Sequence, residues 1–125
     1  MDTEQNISVV RRYLEGLRIN DLSVINELIS PSFISQSKYM PSDKAEIMRD
    51  QGEAVSSIED RELEYTYSVQ GDWVVVRQHH VFRLVRPLDG NMPDGQWHAF
   101  NSIYYWRVQD GQIVEYRDGE MQRLY

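Results

Sequence analysis

The chain has 125 residues, 41% of them hydrophobic and 26% charged, with a formal net charge of −7 and no cysteine. That length supports one domain with a real core, spanning 1–125, and no second one. Without cysteine there are no disulfides, thiolate metal sites or cysteine nucleophiles, and the acidic balance leaves no basic surplus to neutralise nucleic-acid phosphates. No apolar run approaches the roughly 20 residues that span a bilayer, so no membrane partner is expected. The opening MDTEQNIS is acidic and polar, unlike a signal or transit peptide, and the expected setting is the cytoplasm.

Asp2 or Thr3 can cap a first helix whose apolar positions Ile7, Val10, Leu14 and Leu17 draw one stripe, with Tyr13 beside it. Asn20-Asp21 breaks that pattern. Asp21 can then cap a shorter helix, LSVINELI, that stops before Pro31. Ser32 to Tyr39 reads as extended, and Met40-Pro41-Ser42 as a turn. Ser42 or Asp43 caps a third helix to about Ser56, with Ala45, Met48, Val55 and also Ile47 as its apolar positions.

From Arg61 the period changes to two. Leu63, Tyr65, Tyr67 and Val69 alternate with polar residues, as in a half-buried antiparallel strand. Gly71-Asp72 turns the chain into a long strand, Trp73 to Arg86. A loop rich in Gly, Pro and Asp follows, and then a hairpin about Asp110-Gly111, a dipeptide suited to a type I′ turn. Helices first and a meander of four antiparallel strands after them predict an α+β fold, with helices covering one face of a strongly curved sheet. Such a cone keeps a pocket at its open end, lined by inward strand residues.

The hairpin runs from Trp97 to Gln122, and Asp118 stands near the end of its second strand among aromatics, where a charged carboxylate is costly and can serve as a proton carrier. The plain alternative is a rim aspartate paired with Arg117 or Arg77. Alternation puts Arg77 and His79 on one face of the long strand and His80 on the other, without saying which face is inward. Adjacent histidines point apart, so His79, His80 and His98 do not make a metal site, and no phosphate loop or serine-hydrolase motif is present. His98, Phe100, Ser102, Tyr104 and Trp106 share a face, and Asp118 lies with Tyr116 and Val114 unless a bulge intervenes.

The C-terminal DGQIVEYRDGEMQ resembles the SnoaL-like branch of the nuclear transport factor 2-like superfamily, whose members form a cystatin-like α+β cone. The matching residues are Asp110, Gly111, Ile113, Val114, Glu115, Asp118 and Gln122, with Trp106 and Arg107 before the turn. The opening VVRRYLEGLRINDLSVINELISPSFI is similar to the family's first two helices and following strand. The resemblance implies a conical pocket, usually in a homodimer, and polyketide cyclase, isomerase or dehydratase chemistry without a cofactor. On it, Asp118 is the general acid/base. A second likeness, to limonene-epoxide hydrolases, pairs Arg77 with Asp118 but puts His79 where those enzymes have an aspartate, which argues against epoxide hydrolysis. Two further departures concern histidines: Phe33-Ile34-Ser35-Gln36 lacks the family's histidine, and Tyr104 stands where a histidine or Asp is common.

The expected function is proton abstraction α to a carbonyl in a hydrophobic, oxygenated small molecule, leading to cyclisation, isomerisation or dehydration. In that reading Asp118 is the acid/base, His79 a second proton carrier and Arg77 a holder of Asp118 or of the substrate oxygen. Tyr104 and Trp106 shape the cavity, with His98, Tyr39 and Gln36 near its mouth. The alternatives are a non-catalytic binding or dimerisation module, and a hydrolase of epoxides or lactones.

Overall fold

The computed structural model describes residues 3–37, 42–88 and 90–125, with backbone alone at 51 and 53–55. The first helix, α1 (Thr3–Arg18), buries Val10, Tyr13 and Leu14, and Ile7 and Leu17 pack against that core. Asn20 takes the left-handed conformation at φ 54°, which ends the helical path. The Asp21 carboxylate then accepts from the Val24 N–H at 3.2 Å and caps α2 (Leu22–Leu28).

The next strand, β1 (Ile29–Ser35), begins three residues before the expected extended segment and contains Pro31. Ile29 is fully buried and pairs with Ile113, so the chain turns extended directly after α2. Pro31 is tolerated because β1 is an edge strand and its register shifts between Ile29 and Ile34. Helix α3 (Lys44–Ser56) starts with Asp43 accepting from the Glu46 N–H at 2.9 Å, while the Glu46 carboxylate accepts from the Ser42 N–H at 2.8 Å. Ile47 is buried and Ala45 exposed, the reverse of their expected weight. Two positions two apart on a helix cannot share a face, and burying the larger side chain removes more apolar surface from water. Asp2, Tyr39, Met40 and Pro41 and the Val55 side chain lie outside the described residues.

Four strands follow: β2 (Ile58–Gln70), β3 (Trp73–Leu84), β4 (His98–Gln109) and β5 (Gln112–Arg123). They form the expected antiparallel meander, and β1 adds a fifth strand parallel to β5, giving the order β1-β5-β4-β3-β2. Asp110 and Gly111, at φ 51° and 77°, make the tight turn between β4 and β5. The fold is α+β, with a curved sheet that stays open because its edge strands β1 and β2 do not pair. The core lies between α1 and one sheet face, where Val10, Tyr13 and Leu14 meet Val74, Val76, Trp106, Val108, Ile113 and Tyr116. No helix among the described residues is long and apolar enough to cross a membrane.

Two irregularities set the register of β5. Arg107 opposes Glu115 but Val108 opposes Ile113, so Val114 is the extra residue of a bulge and Ile113 takes the core-facing place beside Tyr116. The expectation that Val114 shares the face of Asp118 is corrected by that bulge. A second shift separates Ser102–Met121 from Tyr104–Asp118, and there Gly119 crosses close to β4. A Cβ at Gly119 would stand 2.5 Å from the Ile103 carbonyl oxygen and 2.8 Å from the Tyr105 ring. Gly119→Ala is therefore expected to cost about 1–3 kcal/mol of stability through overpacking. Urea unfolding measures this, and an unchanged midpoint would show that β5 does not run this close to β4.

Candidate functional site

On β3, Val74, Val76 and Gln78 face α1, and alternation carries His80 to the same side. Trp73, Arg77 and His79 project from the opposite side. On β4 and β5 the helix-facing set is Ser102, Tyr104, Trp106, Tyr116 and Asp118, with Tyr104 directly across from Asp118. Asp118, Tyr104 and Trp106 thus lie on one face of the sheet and border one cavity. Arg77 and His79 do not join them: Arg77 pairs across β4 with Ile103, the neighbour of Tyr104 that points the other way. The Asp–Arg–His set is corrected on this geometry, because the thickness of the sheet lies between its members.

Asp118 borders a cavity of about 210 Å³ beneath α1. Leu14 and Leu17 form one wall, Tyr65, Gln78 and Met121 another, and Tyr104, Trp106 and Tyr116 the floor and side nearest Asp118. Asp118 itself is exposed at the rim. Its Oδ1 accepts from the Tyr116 hydroxyl at 2.8 Å and from the Ser37 hydroxyl at 2.9 Å. No hydrogen bond reaches Oδ2 from the described residues. The Gln36 N–H donates to the Tyr116 carbonyl at 3.2 Å, which brings the chain after β1 alongside β5 and delivers Ser37 to the carboxylate. Gln36 is exposed and is not part of the cavity wall; Tyr39 lies outside the described residues.

The Tyr116 ring is buried, 4.4 Å from Trp106 and 5.9 Å from Tyr104 between centroids. Tyr13 stands edge-on to Trp106 at 5.1 Å, and burial raises the pKa of its hydroxyl. The Tyr13 hydroxyl and the Trp106 indole N–H are buried with no hydrogen-bond partner among the described residues. Burial pushes Tyr65 up to about 12 and raises Tyr104, and burial followed by the bond to Asp118 raises Tyr116. All three phenols stay protonated at neutral pH, and Tyr116 donates to Asp118.

The opposite face holds a shallower cleft of about 380 Å³ lined by Arg77, His79, Glu64, Thr66, Asn101 and Glu120, among others. His79 Nδ1 lies 2.7 Å from Asn101 Oδ1 and Nε2 lies 2.9 Å from Glu62. Acceptors at both nitrogens favour the imidazolium, and these bonds, Asn101 first and then Glu62, raise the His79 pKa. His80 Nε2 bonds Asp60 at 2.6 Å, with its ring 4.6 Å from Phe82. His98 is corrected as a cavity residue: its Nδ1 accepts from Arg123 at 3.0 Å, beyond the cavity wall. Arg117 does not pair with Asp118 either. It donates to Glu115 at 2.8 Å, as does Arg107 at 3.0 Å. Burial would raise Glu115, but these two arginine bonds outweigh it and hold the carboxyl below its usual range.

Tyr116, Ser37, Tyr65, Leu14, Leu17, Gln78 and Met121 were missed as site residues. Tyr116 could have been found, since it stands two residues before Asp118 on a strand. Nothing local marks Ser37, which meets Asp118 from 81 positions away. The His79 pairing has a measurable consequence. Its NMR titration is expected above the ordinary imidazole value of 6.5, with Glu62→Gln and Asn101→Ala each lowering it. Because the folded value is raised, the stabilisation is complete below about 6.5 and fades as pH rises through the folded midpoint. A midpoint at or below 6.5 would contradict the double acceptor arrangement.

No family model matches the chain, and no curated protein matches it. Solved structures do. TsrD from Streptomyces laurentii superposes with a TM-score of 0.78 at 19% identity, covering 98% of this chain and 91% of that one. A protein of Jannaschia sp. CCS1 described as a SnoaL-like polyketide cyclase gives 0.75 at 22% identity, covering 98% and 87%. An epoxide hydrolase of the LEH-like type from M. tuberculosis gives 0.71 at 13% identity, covering 93% and 82%. At such identities the shared property is the fold. The chain thus shares its cone-like α+β fold with solved structures described as SnoaL-like and as NTF2-like.

Proposed function

We propose that this protein is a cofactor-independent enzyme that uses Asp118 as a general acid/base on a hydrophobic, oxygenated small molecule. The observation that carries this reading is the carboxylate at the rim of an apolar cavity, with Oδ1 held by two hydroxyls and Oδ2 bonded by none of the described residues. In the step proposed, Oδ2 takes a proton from a carbon α to a carbonyl. The C–H electron pair moves into the new C–C double bond, and the carbonyl oxygen becomes an enolate oxygen. Tyr104, across the strand pair from Asp118, donates a hydrogen bond to that oxygen. Return of the proton at another carbon gives isomerisation. Attack of the enolate on a second carbonyl, whose oxygen takes the proton from Asp118, gives cyclisation, and loss of a β-hydroxyl as water with that proton gives dehydration.

Arg77 and His79 take no part in this scheme. No arginine among the described residues pairs with Asp118, so the epoxide hydrolase reading loses the relay it would need. The homodimer that the family resemblance implies is retained as a proposal. A non-catalytic binding module on the same fold is the second reading, favoured by the exposure of Asp118.

Solvent-deuterium exchange at the α-carbons of cyclic ketones, followed by NMR, tests the proposal. Asp118→Asn is expected to slow exchange by about 10²–10⁴-fold. Tyr104→Phe is expected to slow it by up to about 10²–10³-fold, the cost of one donor to a developing oxyanion. Ketones that bind the wild-type protein without any catalysed exchange would leave the binding module standing.

A further inference from the structure

The cavity beside Asp118 is small for a cone of this length, and its size and chemistry narrow what it can hold. Its volume of about 210 Å³ falls below the range of roughly 300–1,000 Å³ that encloses drug-sized ligands. At a liquid share of roughly 30 Å³ per water it has room for about seven waters, or one substituted six-membered ring. The floor cannot easily retreat. Trp106 is 3% exposed and Tyr116 1%, and the two rings pack at 4.4 Å. Tyr13 on α1, 0% exposed, packs edge-on against Trp106 at 5.1 Å. The roof is Leu14 and Leu17 on α1, the helix that also carries the core residues Val10 and Tyr13. Enlarging the space for fused rings would mean lifting α1 from the core, where each buried aliphatic side chain contributes about 1.5–3 kcal/mol.

The polar groups in the wall are also one-sided. Tyr65 and Tyr104 are phenols whose burial keeps them protonated, so each offers an O–H donor. Among the described lining residues Asp118 is the single charged group, and none of them is Lys, Arg or His. Arg18 acts on Tyr65 from outside that lining. Among the described lining residues an anionic ligand would therefore meet a carboxylate and no cationic side chain, and a cation would be stripped of water by apolar walls. A neutral molecule with an acceptor oxygen meets neither cost.

We propose that the inner cavity takes a neutral, single-ring carbonyl compound, its ring between α1 and the Trp106–Tyr116 floor and its oxygen toward the tyrosine hydroxyls. This deepens the proposed function and rests on its premise that the cavity beside Asp118 is the ligand site. The reaction supplying such a substrate is one that makes or releases a monocyclic ketone, not one that assembles fused rings.

Methyl NMR of the full chain, reading Leu14, Leu17 and Met121, tests it with three probes: 3-methylcyclohex-2-enone, the hydrocarbon 1-methylcyclohexene, and the tricyclic ketone anthrone. The enone is expected to shift these methyls saturably, about five-fold more tightly than the hydrocarbon, as one neutral hydrogen bond provides. Tyr104→Phe, with its fold checked by the same spectrum, is expected to remove that advantage and leave hydrocarbon binding unchanged. Anthrone is expected to leave the three methyls unshifted. Anthrone binding there as tightly as the enone would overturn the single-ring assignment while the cavity remained the site. Equal affinity for enone and hydrocarbon would overturn the carbonyl assignment. No shift from any probe would remove both this proposal and the placement of the ligand site on which it rests.

Discussion

The burial of one aromatic ring governs the rest of the site. Tyr116 lies against Trp106 inside the core, and from that anchored ring its hydroxyl reaches back to Asp118 Oδ1 at 2.8 Å. A rim carboxylate on a strand has several rotamers open to it. Here one oxygen is tied to a side chain that cannot move without opening the core, and Ser37 closes on it from a different part of the chain. The result is a carboxylate oriented by the fold itself, facing an apolar space.

The same strand organises the opposite face through charge. Glu115 precedes Tyr116, so alternation turns it away from the cavity, where Arg107 and Arg117 both donate to it. Trp73 lies beneath those guanidinium groups, 5.9 Å and 5.0 Å from its ring centroid. Arg107 and Arg117 are thus held on the far side of the sheet from Asp118, which is the single charged residue among the described cavity walls. The separation of apolar cavity and charged outer face follows from a period of two applied to one segment, Glu115-Tyr116-Arg117-Asp118.

Much of this could be seen in the residues, though not all of it. The Asp118–Tyr104–Trp106 grouping follows from strand parity once β4 and β5 are recognised as a hairpin, and the structure brings these three together. Arg77 and His79 were assigned to the same site by likeness to a relay in other proteins. Parity alone left their face open, and it is the packing of Val74 and Val76 against α1 that turns Arg77 and His79 outward. The bulge at Val114 likewise has no local marker, because Val114 and Ile113 are equally suited to a core. Which of them is buried depends on how β5 meets both β4 and β1.

What the sequence determined by itself is the order and kind of the elements. The helical stripe of α1, the Asp21 cap, the period-two runs of β2 to β5 and the Asp110-Gly111 turn each arise from interactions among residues a few positions apart. Such preferences can be read wherever they occur, and they already imply helices laid on an antiparallel meander. Tertiary structure alone decided which face of each strand points inward, where β5 bulges, and that Ser37 meets Asp118. Those outcomes depend on contacts between segments tens of residues apart, where close packing selects among registers that local preference leaves nearly equal in energy.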